Sequence, residues 1–141
     1  MTSPAPNFAS NPLLVTWTTP QGAPPFATIA PAHFREAFDQ AFAAHNGEID
    51  AISGNPEPPT FDNTITAVER AGGVLDRVAS VFYALAGAHT NDELLAIERE
   101  LSPRMAAHSN RIRLNDALFA RIEALWRARD DLTLTAEQAR V

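Results

Sequence analysis

The amino-acid sequence predicts an all-α protein, an antiparallel helical bundle of about four helices with a Pro-rich irregular N-terminal segment. Three observations predict this fold class. Ten of the eleven prolines lie in two clusters, apolar residues recur at spacings of three and four outside them, and no apolar run approaches the roughly 18 residues of a membrane span. With 141 residues, of which 45% are hydrophobic and 20% charged, the chain fits one soluble domain with a single core.

The proline-rich lead, residues 1–30, is expected to be mostly irregular, because proline lacks a backbone N–H and clashes with a preceding helical turn. Seven of the eleven prolines lie within the first 31 residues. Residues 13–17 are compatible with a short extended piece, although the sequence offers no partner strand. Trp17 and Phe26 are the predicted anchors that hold this lead against the helices.

The first predicted helix begins at Pro31, a residue suited to a first helical turn, and ends at Gly54. Its apolar residues recur every three or four positions and so share one face. They are Phe34, Phe38, Ala41, Phe42, His45, Ile49 and Ile52. The connection that follows, residues 55–63, contains three prolines, and Thr60 or Asp62 is expected to cap the next helix.

The second predicted helix runs from Phe61 to about Ala88. Its apolar face comprises Phe61, Ile65, Val68, Leu75, Val78, Phe82 and Leu85. Gly72 and Gly73 interrupt the middle of this helix, where each glycine costs about 1 kcal/mol relative to alanine. They imply either a break or the close approach of another helix backbone, and close packing is the favoured alternative.

The third predicted helix starts at a capping box formed by Thr90 and Glu93, in which each side chain satisfies the other residue's backbone N–H. Leu94, at the start of its apolar pattern, follows directly. Proline inside a helix removes one hydrogen bond and crowds the preceding turn. Pro103 is therefore expected to kink this helix or to end it near Ser102.

The fourth predicted helix is capped by Asn115. Its predicted buried stripe comprises Leu118, Phe119, Ile122, Leu125 and Trp126. Two pairs of opposite charge have the favourable spacing of four residues, Glu100 with Arg104 and Glu123 with Arg127. We expect both pairs to lie on solvated surfaces.

The last residues carry another helix-start signal, because Thr135 and Gln138 have the spacing of a capping box. The sequence stops at Val141, well short of the roughly 12 residues that make an isolated helix worth forming. We therefore expect residues 31–134 to form the helical domain. Residues 135–141 are expected to be the start of a truncated helix within a longer protein, and a frayed tail is the alternative.

Composition excludes several chemistries. All eleven cationic residues are arginine, so a Schiff-base lysine and a phosphate-loop lysine are both absent. The lack of cysteine removes disulfides, thiolate nucleophiles and cysteine-ligated metals. The net charge of −6 argues against nucleic-acid binding. The chain opens without a basic segment followed by an apolar one, so no secretory signal is predicted and a cytoplasmic location is expected.

The histidines do not predict a metal site. They are His33, His45, His89 and His108. The sequence lacks His-Glu-x-x-His, which would place two imidazoles one helical turn apart. His89 and Glu93 are four residues apart, but the capping box places His89 before the helix. His108 lies between Arg104 and Arg111, whose charges would repel a metal ion.

Nucleophilic and acid–base catalysis are not predicted either. The Gly-x-Ser-x-Gly turn of serine hydrolases is absent. The carboxylate pairs Glu36 with Asp39 and Glu98 with Glu100 are expected to be solvated charges. The aromatic residues at helical spacing, expected in the core, are Phe34, Phe38, Phe82 and Trp126. No catalytic, cofactor-binding or metal-ligating residue is therefore predicted in this chain.

Five segments carry a family resemblance. They are NPLL (11–14), GAPPFATIAPAHFREAFDQA (22–41), EIDAISGNPEPPTFDNTITAVERAG (48–72), VFYALAGAHTNDEL (81–94) and LNDALFARIEALW (114–126). In the same order they resemble the N-terminal region of the thimet oligopeptidase-like zinc metallopeptidases. Residues 89–94, after an aromatic-rich helix, are most similar to the bacterial peptidyl-dipeptidase (dipeptidyl carboxypeptidase) branch. The sister oligopeptidase A branch shares much of the pattern.

The resemblance implies a helical, two-lobed enzyme in which zinc and its His-Glu-x-x-His motif lie in the C-terminal half. Such an enzyme releases dipeptides from short peptides. Residues 31–134 would be the N-terminal domain, a non-catalytic part of the substrate-channel wall. Its partners would be the C-terminal catalytic region of the same enzyme and, in the parent enzyme, short peptides. The implied cofactor is zinc in the parent enzyme and none in this chain.

The alternative function is a freestanding helical module that binds a peptide or a partner without catalysis. A gene that continues to a His-Glu-x-x-His motif favours the enzyme, and a stop codon after residue 141 favours the module. If a partner lobe normally covers this chain, the isolated fragment should expose an apolar patch of roughly several hundred Å². Self-association of the fragment through that patch is then expected.

Overall fold

The computed structural model describes residues 11–141, and residues 1–10 of the proline-rich lead lie outside the described residues. Five α-helices occur in residues 11–141. They are α1 (Pro31–Ser53), α2 (Ala67–Arg70), α3 (Gly73–Ala88), α4 (Asp92–Arg113) and α5 (Asp116–Ala128). A π-helical turn, Phe61–Thr66, leads into α2, and 3₁₀ turns occupy Pro20–Gly22, Phe26–Thr28, Arg129–Asp131 and Gln138–Arg140. The predicted all-α class, with four long helices, is confirmed.

Helix α1 lies at the centre of the fold and contacts α3, α4 and α5. Phe82 of α3 packs edge-on against Phe34 and Phe38 of α1, with ring centroids 5.1 and 5.6 Å apart. All three rings are at most 1% exposed. Because Phe82 lies beside the start of α1 and Gly72 lies beside His45 further along, α1 and α3 are antiparallel. Helix α4 reverses once more and runs in the direction of α1.

The lead is anchored by residues that the sequence analysis did not select. Leu13 is fully buried and Leu14 is 6% exposed. The Asn11 side chain, itself buried, donates to the His33 carbonyl at 2.9 Å and accepts from the Leu13 N–H at 3.0 Å. The latter bond closes a turn, so the expected extended piece at residues 13–17 does not form in this segment.

The two predicted aromatic anchors of the lead differ in outcome. Trp17 packs against the edge of the core, and its indole N–H donates to the Pro12 carbonyl at 2.7 Å. The Arg77 guanidinium lies 5.2 Å from the Trp17 ring centre. Phe26 is 48% exposed in a 3₁₀ turn, so its prediction was wrong. Leu13, which is fully buried, fills the core position expected for an anchor.

The second predicted helix is broken, because Ala71 adopts an extended conformation and Gly72 has a φ of 84°. A β-carbon at Gly72 would lie 2.7 Å from Cε1 of the His45 ring. The favoured interpretation, a continuous helix against another helix backbone, was therefore wrong. The break is real, and the group that approaches Gly72 is a side chain of α1. Before the break, Thr60 rather than Asp62 is the cap, since its Oγ1 accepts from the Asn63 N–H at 3.0 Å.

Helix α4 corrects two expectations. Its cap is Asn91, whose Oδ1 accepts from the Leu94 N–H at 2.9 Å, because the Thr90 hydroxyl instead donates to the Ala86 carbonyl of α3. Pro103 lies inside a continuous helix, so of its two predicted effects, a kink or an end near Ser102, the end is wrong. Pro103 and Arg99, four residues earlier, are both exposed, whereas Leu101 is buried and holds the helix to the core. The hydrogen bond that proline cannot donate is therefore lost on the solvent side of the helix.

Helix α5 is capped by Asn115 as predicted, through a 2.9 Å bond from the Leu118 N–H. Only part of its predicted buried stripe is buried, namely Leu118 and Leu125. After α5 the chain turns back, and Thr135 and Gln138 exchange the two hydrogen bonds of a capping box, at 2.9 and 3.2 Å.

Candidate functional site

The most unusual polar contact of the structure is a histidine pair between α1 and α4. His108 Nε2 and His45 Nδ1 lie 2.9 Å apart, so one imidazole donates a hydrogen bond to the other. The His108 ring also packs at a tilt against Phe42, with centroids 4.9 Å apart and ring planes at 55°. Partial burial lowers the pKa of His108, and the nearby charges of His45 and Arg111 lower it further. The neutral form of His108 is thereby favoured.

The sequence did not indicate that these two histidines are neighbours, because they lie 63 residues apart. Only the alignment of α1 with α4 brings them together. Glu48, three residues after His45, accepts from the Gly72 N–H at 2.6 Å and is thereby engaged with the turn before α3. His33 and His89 serve local structure, because His33 Nδ1 accepts from the Ala30 N–H at 3.0 Å and His89 ends α3.

Three ion pairs join α1 to α4, and together with the histidine pair they form the α1–α4 seam. They are Arg35 with Glu100, Asp39 with Arg104 and Asp50 with Arg111. Residue numbers increase together along both helices, so the seam fixes a parallel alignment. The Arg35 guanidinium donates to both Glu100 oxygens at 3.0 Å, which lowers the pKa of that carboxyl. These exposed pairs favour one register more than they add stability.

Of the two charge pairs expected within helices, only one forms. Glu100 and Arg104 do not pair with each other along α4, because each side chain reaches across to α1. The pair of Glu123 with Arg127 does form along α5, at 2.7 Å. The carboxylates of Glu36 and Asp39, expected to be solvated charges, bond to Asn11 and Arg104 respectively.

An open groove of about 310 Å³ lies beside the histidine pair. Its lining residues are Phe42, Asn46, Arg104, Ala107, His108 and Arg111. The two guanidinium groups in this groove are ion-paired with Asp39 and Asp50, so their charge is largely compensated. The groove is therefore an open surface in which both positive charges are balanced by neighbouring carboxylates.

Arg121 of α5 is a buried arginine that the sequence analysis missed, with 7% of its surface exposed. Its Nη1 donates to the carbonyls of Asn55 and Glu57 at 2.8 and 3.0 Å, and its Nη2 donates to Asn63 Oδ1 at 2.9 Å. These bonds clamp the proline-rich connection after α1 to α5. The available sequence signal was its position, three residues after Leu118 and four before Leu125, on the buried side of the helix.

The other side of α5 is apolar but uncovered. Phe119 is 62% exposed, Ile122 36% and Trp126 65%, and these three residues are called here the α5 apolar face. Their predicted burial was therefore wrong. The Arg129 guanidinium lies 4.3 Å from the Trp126 ring centre, so the ring is partly covered by a cation rather than by a helix.

The α5 apolar face continues into a groove of about 130 Å³. The groove is lined by Phe61, Ile65, Ile122, Leu125, Trp126, Arg129, Leu132, Leu134, Gln138, Ala139 and Val141. Its lining is mostly apolar and contains no Asp or Glu side chain. Small-molecule sites are typically about 300–1,000 Å³ with several convergent polar groups, so this groove fits a packing surface better than a ligand pocket.

The described residues do not fit a zinc site. In residues 11–141, no three His, Asp or Glu side chains come close enough to share a metal ion. His45 and His108 use one ring nitrogen each on their mutual hydrogen bond, and Arg111 adds positive charge beside them. A resident metal would need at least three protein ligands with compatible charge.

No protein-family model matches the chain. The dipeptidyl carboxypeptidase of Escherichia coli (strain K12) is 47% identical over 131 residues, which cover 93% of this chain and 19% of that protein. The dipeptidyl carboxypeptidase of Salmonella typhimurium (strain LT2) is 45% identical over 134 residues, covering 95% of this chain and 20% of that protein. The chain thus spans about a fifth of the length of these relatives. Over nearly all of its own length it is similar to bacterial dipeptidyl carboxypeptidases, as its motifs predicted.

Proposed function

We propose that the chain is the N-terminal, non-catalytic part of a zinc-dependent dipeptidyl carboxypeptidase. In the whole enzyme it forms part of the wall of a channel that admits short, unfolded peptides. The observation that carries this proposal is 47% identity to the Escherichia coli enzyme over 93% of the chain. Proteins this similar over such a length share a fold and, as a rule, a role.

The geometry is compatible with a wall. A wall acts by shape, so it needs rigid elements and no reactive side chain. Helix α1 supplies rigidity, because it is packed on α3, α4 and α5 and is aligned with α4 by the α1–α4 seam. The proposal places the zinc ion and the hydrolytic step in the remainder of the enzyme. It is supported by the finding that residues 11–141 hold no group of three side chains able to share a metal ion.

The proposed location is the cytoplasm. Among the described residues, none of the helices combines the length and the apolar character needed to cross a membrane. The proposed partners are the catalytic region of the same enzyme and the short peptides that it cleaves.

A chimera tests this function. The chain replaces the matching segment of the Escherichia coli dipeptidyl carboxypeptidase, and a variant of that enzyme lacking the segment serves as the control. We expect the chimera to release C-terminal dipeptides and to contain zinc, and the deletion variant to lose activity. The isolated chain is expected neither to cleave peptides nor to hold stoichiometric zinc after metal supplementation. Turnover by the isolated chain, or a folded, zinc-loaded but inactive chimera, would contradict the proposal.

A further inference from the structure

The apolar residues of α5 extend around more of the helix than the side that is buried within this chain. Residues advance by about 100° around an α-helix, so Leu118, Arg121 and Leu125 share one direction and the α5 apolar face lies roughly 100° away from it. The first set is at most 7% exposed, whereas Phe119 and Trp126 are more than 60% exposed. A helix that is apolar over such a sector is typically buried on both sides.

The uncovered side is also continuous with further apolar surface. Ile122 and Trp126 belong both to the α5 apolar face and to the adjoining groove, where Leu132 and Leu134 continue the same surface. Contiguous exposed apolar surface that is bordered by polar residues is typical of an interaction site. Unlike the buried Arg121, the charged residues Glu123 and Arg127 lie on the remaining side of the helix, where they pair with each other.

We infer that the α5 apolar face and its groove are the surface on which this domain docks against the remaining polypeptide of the peptidase. This inference rests on the proposed function. About four-fifths of the length of each relative lies outside the segment that matches this chain. A covalently linked region acts at an effective concentration on the order of millimolar, which a second copy of the chain does not reach in solution. Intrachain docking therefore prevails over self-association.

The surface has the composition of such an interface. Permanent interfaces resemble a hydrophobic core cut in half, with charged groups displaced to the rim. Phe119 and Trp126 supply the aromatic anchors, and Arg129 and Glu123 stand at the edge. Trp and Arg are the residue types that most often carry interface energy.

Thiol labelling tests the docking surface, because the natural chain contains no cysteine. Phe119→Cys places a thiol on the α5 apolar face, and Arg127→Cys places a control thiol on the polar side of the same helix, where the arginine side chain is 75% exposed. Both variants are prepared in the isolated chain and in the chimera with the Escherichia coli enzyme. Maleimide labelling is followed by mass spectrometry of the peptide that contains residue 119 or 127.

We expect the Phe119→Cys thiol to react at least about tenfold more slowly in the chimera than in the isolated chain, and the Arg127→Cys thiol to react equally in both. Equal rates for Phe119→Cys would overturn the inference. Protection of this thiol in the chimera that disappears on dilution would also overturn it, because a second copy would then be the occupant. The isolated chain is labelled at a dilution beyond which its rate no longer changes, so that self-association does not shield the thiol. If the chimera does not fold, the same pair of substitutions at the aligned positions of the Escherichia coli enzyme gives the decision.

Peptidase activity of the unsubstituted chimera separates the two proposals. An active chimera in which the Phe119→Cys thiol stays reactive rejects the docking surface and leaves the proposed function standing. An inactive but folded chimera in which that thiol is protected rejects the proposed function and leaves the docking surface standing.

Discussion

Helices α1 and α5 are both amphipathic, but the chain completes the packing of only one of them. Helix α1 buries Phe34 and Phe38 almost completely, with α3, α4 and α5 packed around it. Helix α5 buries Leu118 and Leu125 and leaves Phe119 and Trp126 largely exposed. The same hydrophobic periodicity therefore has two meanings. In α1 it marks the core of this domain, and in α5 it also marks a surface prepared for another part of the protein.

The largest expected difference between the two helices comes from truncating one phenylalanine in each. Phe38→Ala should lower the free energy of unfolding by about 3–5 kcal/mol, because it removes a buried ring and leaves a cavity beside Phe34 and Phe82. The matched control Phe119→Ala should change it by no more than about 0.5 kcal/mol in the isolated chain. Urea unfolding followed by circular dichroism measures both values. Similar losses for the two variants would break the distinction between the helices.

A second comparison contrasts the two sides of α5. Arg121→Leu leaves the carbonyls of Asn55 and Glu57 and the side chain of Asn63 without their donor, which should cost about 1–3 kcal/mol. Arg127→Leu removes an exposed pair with Glu123 and should be close to neutral. Thermal unfolding of both variants, read at one protein concentration, gives the comparison. A neutral Arg121→Leu would show that the clamp on the proline-rich connection adds no stability.

These contrasts show how far sequence alone reaches. Periodicity predicted four long helices and the buried face of α1, because a core of this kind depends on local spacing. It did not predict the exposure of Phe119 and Trp126, because an apolar stripe has the same pattern whether its cover lies within the chain or outside it. Resemblance to the zinc peptidases was needed to suggest an outside cover.

Contacts between distant segments were the other failure. The pair of His45 with His108 depends on the parallel alignment of α1 with α4, which no local pattern encodes. Similarly, Glu100 and Arg104 have the spacing of a pair within α4, but partners on α1 compete for both. The predicted absence of catalytic residues in this chain stays a prediction, since it concerns the activity of the whole enzyme.

A third comparison tests how closely the turn before α3 packs against the His45 ring of α1. Gly72→Ala should cost about 1–3 kcal/mol, since position 72 has a φ of 84° and the new methyl group would meet the His45 ring. Gly73→Ala is the matched control, because a β-carbon there meets nothing within 4 Å. The control should be neutral or slightly stabilising. Equal stability of the two variants in urea unfolding would show that α1 leaves room at this turn.

The smallest expected effect is a pH dependence carried by the α1–α4 seam. Burial and the charges of His45 and Arg111 lower the pKa of His108 in the folded chain below its unfolded value of about 6.5. The unfolded state therefore takes up a proton more readily, so stability is complete above that pH and falls as the pH drops toward the folded pKa. Urea unfolding at pH 7.5 and pH 5.5 should show a smaller loss for His108→Gln than for the natural chain. His89→Gln, at an exposed position, is the control and should retain the full loss. An equal loss of stability for His108→Gln and the natural chain over this range would contradict the prediction. Protonation of His108 would then not contribute to the pH dependence, and the α1–α4 seam would only fix the alignment of the two helices.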